Sequence, residues 1–406
     1  MRKIERKNTN FLVASSTISR IGDTLFDYVN NSFLASVNMK SMVLVGVYQA
    51  LENIIGAVFN LFGGVIADRF RRKKIIILTD FLSGVICIFL SFVTSQTWLM
   101  YAIILANAVL ALLSAFATPA YNAFTKEIVE KDEITLVNSY LQTSTTLVKI
   151  IVPVLSVGIY KWIGIHGALL LDGVSFLFSA IIIALIQPIL EETRKTDDFS
   201  ARLVIDDLIS GFRYVARNRQ LYLLIALSAG VNFFMAGYSL LLPYSNQMFP
   251  KISENVYATF LTAEALGGLI GAVISGRISR KLSTSQLMLL LVTFGCFVAA
   301  APIFYIIRPS IFLLVLSPIG SGIFMTLFNI HSFSLIQKEV ASDYLGRVLG
   351  IIFTVAILFM PLGTTLFTIL LRPDNSLNFL FIGVAVIALA LALVFLQFLR
   401  NEKQAS

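Results

Sequence analysis

Four acidic side chains, Asp23, Asp27, Glu52 and Glu264, stand inside otherwise apolar stretches of this 406-residue sequence. A charge at the centre of a bilayer costs at least ~2.5–3.5 kcal/mol on insertion scales, so an acid kept there is a candidate for function. Asp23 and Asp27 are four residues apart and share one helix face. Counted from Asn10 at the inner surface, at ~1.5 Å per residue, they lie about 20 and 26 Å across; Glu52 and Glu264, measured from Asp68 and Arg277, fall at about 24 and 20 Å. Carboxylates at similar depth on three helices can take up a proton on one side and release it on the other, or can attract a cationic substrate. Lys149, the one lysine deep in a span, can neutralise one of these acids.

Each candidate has a structural alternative. Asp23 can pair with Arg20, or bond backbone at a kink beside Gly22. Asp27 and Glu52 can be hydrated near the outer headgroups. His331 can titrate near neutral pH, but a hydrogen-bonded packing histidine is the commoner use.

The elements holding these residues follow from composition. Only 13% of the chain is charged and 57% is hydrophobic, against about a quarter charged in a soluble domain. Apolar runs such as 75–93, 99–117, 168–186, 287–307 and 379–399 are long enough for helices to cross the hydrocarbon core, and those at 99–117, 287–307 and 379–399 lack charge. A spanning β-barrel would instead show short alternating segments. The expected class is an all-α integral membrane protein with twelve transmembrane helices, near 9–36, 42–67, 75–94, 98–118, 139–164, 167–190, 220–246, 255–279, 284–307, 309–336, 346–371 and 376–399. The basic start, Arg2 to Lys7, precedes a span with no small-residue cleavage site and reads as an uncleaved first helix. Cys87 and Cys296 both lie in apolar runs, which argues against a disulfide framework or a metal site.

The net charge of +8 is explained by orientation. With both termini inside, 24 of the 31 Lys and Arg fall in cytoplasmic segments and five in outer loops (Lys40, Lys161, Lys251, Arg308, Arg372). That asymmetry is the positive-inside pattern for an even number of helices in a plasma membrane, and it removes the case for nucleic acid. The longest polar stretch, 191–219, divides the chain into an N-terminal six-helix bundle (1–190), a cytoplasmic linker and a C-terminal six-helix bundle (220–406). Leu208, Phe212 and Val215 in the linker have the spacing of an amphipathic helix on the membrane face, with a solvated tether as the alternative. Gly267 and Gly271 give the small-xxx-small spacing that lets helices approach closely.

The order Gly64, Asp68, Arg69, Arg72, Lys73 resembles the loop signature of the major facilitator superfamily, and Gly271, Gly276, Arg277, Arg280 and Lys281 echo it in the second half. Ser19-Arg-Ile-Gly22-Asp23, Thr118-Pro119-Ala-Tyr-Asn122 after the fourth helix, Asp172-Gly-Val-Ser175-Phe176, Gly211-Phe-Arg213-Tyr214 and Tyr344-Leu-Gly346-Arg347 are similar to the drug-exporter branch of macrolide efflux proteins and the enterobactin exporter. Two features depart from that branch: Leu110 to Ser114 lacks the arginine of many proton-coupled members, and the fifth helix keeps only Pro153 and Gly158 of a glycine-rich exporter signature.

The resemblance implies two bundles rocking about a central site, with Gly64, Asp68, Arg69, Arg72 and Lys73 as an inner gate. It also implies a cavity lined from Tyr28, Asn31, Tyr48, Asn53, Asn232, Tyr238, Asn329 and His331. The function it implies is secondary active export, by proton antiport, of amphipathic small molecules such as macrolide-like drugs, by a monomer in contact with membrane lipid. A lipid or siderophore exporter of the same fold, and a non-transporting membrane sensor or assembly protein, stand as alternatives. No phosphate-binding G-x-x-x-x-G-K-[ST] loop, H-E-x-x-H helix or hydrolase triad is present, so an enzyme is not expected and the only energy source expected is a gradient rather than a cofactor.

Overall fold

In a computed structural model of the chain, residues 2–37, 42–189, 219–278, 282–340 and 342–405 are described, and they are helical almost throughout. The long helices are α1 (Lys3–Val37), α2 (Val43–Arg69), α3 (Arg72–Ser91), α4 (Gln96–Ile128), α5 (Ile134–Leu185), α6 (Arg219–Leu241), α7 (Val256–Arg277), α8 (Thr284–Ile307), α9 (Leu316–Glu339), α10 (Ser342–Leu370) and α11 (Leu377–Ala405). α5 is two rods. Gly164 sits between them at φ 66°, ψ −170°, a left-handed conformation that a residue with a Cβ rarely takes, and it supplies the turn between the fifth and sixth expected spans.

Helices dominate because a backbone in hydrocarbon must satisfy its own polar groups. Eight helical stretches among the described residues are long and apolar enough to cross a membrane, the Lys131–Leu185 stretch counted as one, and Val43–Phe59 and Leu358–Leu370 are shorter apolar helices. Ends follow local chemistry: Asn255 caps α7 by accepting from the Ala258 N–H, and Ser283 with Gln286 forms a capping box at α8. Pro119 does not end α4, which runs on to Ile128. A proline removes one backbone donor, a loss that packing in a membrane helix tolerates.

The chain forms two compact units, one of residues 1–38 and 47–197, the other of residues 39–46 and 198–406. In the first, α1 and α3 pack on α5, and α3 also on α4; in the second, α7 packs with α9, α8 with α11 and α6 with α10. Glycines set two equivalent contacts. A Cβ added at Gly84 (α3) would stand 2.8 Å from the Gly173 carbonyl oxygen on α5, and one at Gly295 (α8) 2.7 Å from the Gly383 oxygen on α11. Gly271 makes a similar approach to α9, where a Cβ would stand 2.6 Å from the Ile323 oxygen. Most of the expected linker, 191–218, including the amphipathic stretch, lies outside the described residues.

Candidate functional site

At the end of the first unit that holds the start of α1, Leu12 (α1), Ile76 (α3), Phe124 (α4) and Ile183 (α5) are fully buried together in an apolar plug. One helical turn along each helix, all four chains switch to polar residues: Ser15, Asp80, Tyr121 and Ser179. These four meet. Asp80, 4% exposed, accepts hydrogen bonds from the Ser179 hydroxyl at 2.6 Å and the Tyr121 hydroxyl at 3.0 Å. Ser15 Oγ lies 2.7 Å from Ser179 Oγ and 3.3 Å from the Tyr121 oxygen. Hydroxyl donors are what a carboxylate in this setting requires, because a buried charge without hydrogen bonds is strongly disfavoured.

Beyond this layer lies a cavity of about 470 Å³, lined by Asp23, Asp80 and Arg20, by polar residues including Asn138 and Gln142, and by apolar ones including Leu113 and Phe176. That volume suits a small organic molecule. Arg20 donates through Nε to Ser16 at 3.3 Å and forms no ion pair with Asp23 among the described residues. Asp172, on the second rod of α5, is fully buried; Cys87 Sγ donates to its Oδ2 at 3.2 Å and its Oδ1 has no partner. A side chain at Gly22 would collide with Asp172 and Ser175, so the bare helix face at Gly22 admits them.

A second polar cluster surrounds Asp27, which accepts from the Tyr48 hydroxyl at 3.1 Å. Asn31 donates to the Asp27 carbonyl at 2.8 Å and accepts from Gln49 at 3.2 Å; Asn107 donates to the Tyr48 carbonyl at 3.1 Å. Glu52 is exposed on α2, close enough to feel the Asp27 charge. Tyr28, Asn31 and Tyr48 are buried and Asn53 half-buried, and none of the four belongs to the lining of the 470 Å³ cavity. Lys149 is exposed on α5 and pairs with no acid among the described residues.

In the second unit, Glu264 is half-buried on α7, and the Tyr238 hydroxyl on α6 lies near both Glu264 and Ser321. His331 Nε2 is 3.2 Å from Ser275 Oγ, a hydrogen bond between α9 and α7. Asn232 donates to the Ser228 carbonyl at 2.9 Å within its own helix, and Asn329 is exposed.

The expected gate residues divide. Gly64, Asp68 and Arg69 fall where side chains lie outside the described residues. Arg72 pairs with Glu127 at 3.1 Å, tying α3 to α4. Lys73 Nζ donates to the Ala184 and Ile186 carbonyls at 2.7 and 2.8 Å, satisfying orphan acceptors at the end of α5. Asn8 bonds Gln187 and Glu5 accepts from the Glu130 N–H, so α1, α3, α4 and α5 are stapled to one another at this end of the unit. Asp80 and Asp172 join Asp23 and Asp27 as candidates. Asp80 interrupts an apolar run, and Asp172 opens a motif quoted for resemblance, yet neither had a partner within reach along the sequence.

Comparison with known proteins agrees with this architecture. The profile of the Major Facilitator Superfamily matches residues 12–364. Macrolide efflux protein A of Streptococcus pyogenes is 22% identical over 395 residues, covering 93% of each chain, and the uncharacterized MFS-type transporter YkuC of Bacillus subtilis is 25% identical over 396 residues, covering 94% of this chain and 90% of its own. Among solved structures, the nucleoside transporter NupG superposes with a TM-score of 0.76 at 12% identity, over 95% of this chain and 98% of its own. A bacterial homologue of the iron transporter ferroportin, in an inward-facing state, gives 0.73 at 16%, with the same coverage. At such identities the structural likeness speaks for the fold alone, while the profile spans most of the chain: it is a member of the major facilitator superfamily.

Proposed function

We propose that the chain is a secondary active exporter that exchanges protons for amphipathic small molecules, macrolide-like drugs among them, by alternating access in the plasma membrane, with both termini cytoplasmic. The observation that carries this reading is the cavity of the first unit, which Asp23 and Asp80 line together with apolar Leu113 and Phe176. A protonatable carboxylate beside an apolar surface is what exchange of a proton for a greasy cation requires. The relative named macrolide efflux protein A supports the substrate class. The gradient supplies the energy, no cofactor is invoked, and the working form is a monomer among lipids.

Everted membrane vesicles offered a radiolabelled macrolide or a cationic dye should accumulate it, and a protonophore should abolish the accumulation. Asp23→Asn and Glu264→Gln should each lower active transport by about tenfold, the equivalent of ~1.4 kcal/mol. Accumulation that ignores the protonophore removes the proton from the mechanism; no accumulation of any tested compound removes export.

A further inference from the structure

The four residues around Asp80 come from four helices, and each stands one turn from its helix's contribution to the apolar plug. With the N-terminus inside, α1 and α3 run outward while α4 and the second rod of α5 run inward. Ser15 and Asp80 therefore follow Leu12 and Ile76 in sequence, whereas Tyr121 and Ser179 precede Phe124 and Ile183, and all four lie on the outer side of the plug. Asp80 is thus at the floor of the cavity. Both hydroxyls reach the same oxygen, Oδ2, and the residue also lines the cavity that Asp23 lines.

We propose that Asp80 is a proton-carrying site of this unit, reached from the cavity and read out through Tyr121, Ser179 and Ser15. The inference rests on the proton-driven reading above and names a group that the outer acids Asp23 and Asp27 do not replace. The step is a proton transfer alone: a hydronium ion in the cavity gives its proton to a carboxylate oxygen of Asp80 and leaves as water. With Asp80 ionised, Ser179 and Tyr121 both donate to its Oδ2, at 2.6 and 3.0 Å. Protonation of Oδ2 adds an O–H there, so one of the two hydroxyls accepts from Asp80 and turns its own hydrogen elsewhere; Ser15 Oγ, 2.7 Å from Ser179 Oγ, is placed to accept it. One proton thereby changes contacts among α1, α3, α4 and α5.

The charged groups facing Asp80 are Arg20 and Asp23 of α1, across the cavity. From α4 it meets Tyr121, and from α5 it meets Ser179, with Asn138 and Gln142 elsewhere on the cavity wall. Asp172 stands two turns farther out along α5, bonded to Cys87 of its own helix's neighbour α3. No cation forms an ion pair with Asp80 among the described residues. Nothing here locks the carboxylate in its charged form except neutral hydroxyls, and those can reorient.

The test is a pH titration of the purified full chain followed by infrared difference spectroscopy in the carboxyl C=O region, which reads protonation without requiring transport. Asp80→Asn should lose one titrating carboxyl band that Asp27→Asn retains. Tyr121→Phe and Ser179→Ala each remove a donor to the carboxylate, and each should move the midpoint of that band to higher pH by about one unit. An Asp80→Asn spectrum that titrates like the parent overturns the proposal. If Asp80→Asn does not fold, unmoved midpoints in both hydroxyl variants overturn it equally. Vesicle transport separates the two readings: a parent protein indifferent to protonophore fails the proton-driven function, whereas a sensitive parent with an equally sensitive and active Asp80→Asn fails Asp80.

Discussion

Asp172 is fully buried among α1, α3 and its own helix. Its Oδ2 accepts from Cys87 Sγ at 3.2 Å, its Oδ1 has no partner, and the helix face at Gly22 closes over it. A thiol is a weak donor, yet loss of a partner to a buried polar group costs about 1–3 kcal/mol. Cys87→Ser keeps a donor of similar size and should leave thermal stability in detergent nearly unchanged. Cys87→Val fills the space without a donor and should lower stability by roughly 1–3 kcal/mol, read as a lower melting temperature by scanning fluorimetry. Equal melting of the two variants would mean that the thiol does not support Asp172.

Helix pairing in each unit rests on backbone contact at small residues, the arrangement expected where lipid is as apolar as a leucine side chain and tight packing must drive association. Gly84 and Gly158 make a matched pair of tests. A Cβ at Gly84 meets the Gly173 carbonyl at 2.8 Å, and a carbonyl on a rigid helix cannot rotate away; a Cβ at Gly158 meets nothing within 4 Å. Gly84→Ala should therefore destabilise by ~1–3 kcal/mol, while Gly158→Ala should be neutral or slightly stabilising through helix propensity. Unfolding followed by a steric-trap or thermal assay checks both.

The start of α1 carries a pH-dependent staple of its own. The Arg2 backbone N–H, and after it the Glu130 N–H, hold the Glu5 carboxyl below its ordinary value of 4.5, with burial acting in the opposite direction. A lowered value in the folded chain means stabilisation that is complete above pH 4.5 and lost as the pH falls through the folded value below it. Hydrogen exchange at Glu130 and its neighbours should accelerate under acid below that point, relative to a Glu5→Gln variant whose exchange carries no such step.

Much of the whole molecule could be read in advance, and the part that could not has a physical cause. Length and apolarity announce a span, so the helix at 284–307 and the break at Gly164 were visible as expectations. The fourth helix, expected near 98–118, runs on through Pro119 to Ile128, since a membrane helix can continue through a proline. The acids near Asp23 and Asp27 showed as charges out of place. Asp80 did not stand out as a site because its meaning lies in Ser15, Tyr121 and Ser179, which are 65, 41 and 99 residues away in the chain and converge only once α1, α3, α4 and α5 are packed. Serine and threonine give no such signal by themselves, since most bond the carbonyl one turn back, as Thr79 does to Ile75. Arg72 and Lys73 were legible as a basic pair but not their partners Glu127, Ala184 and Ile186, which lie 55 to 113 residues away.

Charge distribution makes a final prediction for the molecule in its membrane. Cytoplasmic segments hold most of the lysines and arginines when both termini are placed inside, and the translocation machinery retains short basic loops on that side. The two native cysteines, Cys87 buried and Cys296 exposed, can be replaced by serine and alanine to give a background for labelling. In that background Lys3→Cys and Lys403→Cys should react with a membrane-impermeant maleimide only in everted vesicles, while Lys161→Cys and Lys251→Cys should react in intact cells. These outer positions are both exposed, Lys161 shortly before the Gly164 turn and Lys251 between α6 and α7. Labelling of the termini in intact cells would reverse the orientation. Asp80 would then lie on the cytoplasmic side of the plug of Leu12, Ile76, Phe124 and Ile183, and the direction assigned to proton entry would reverse.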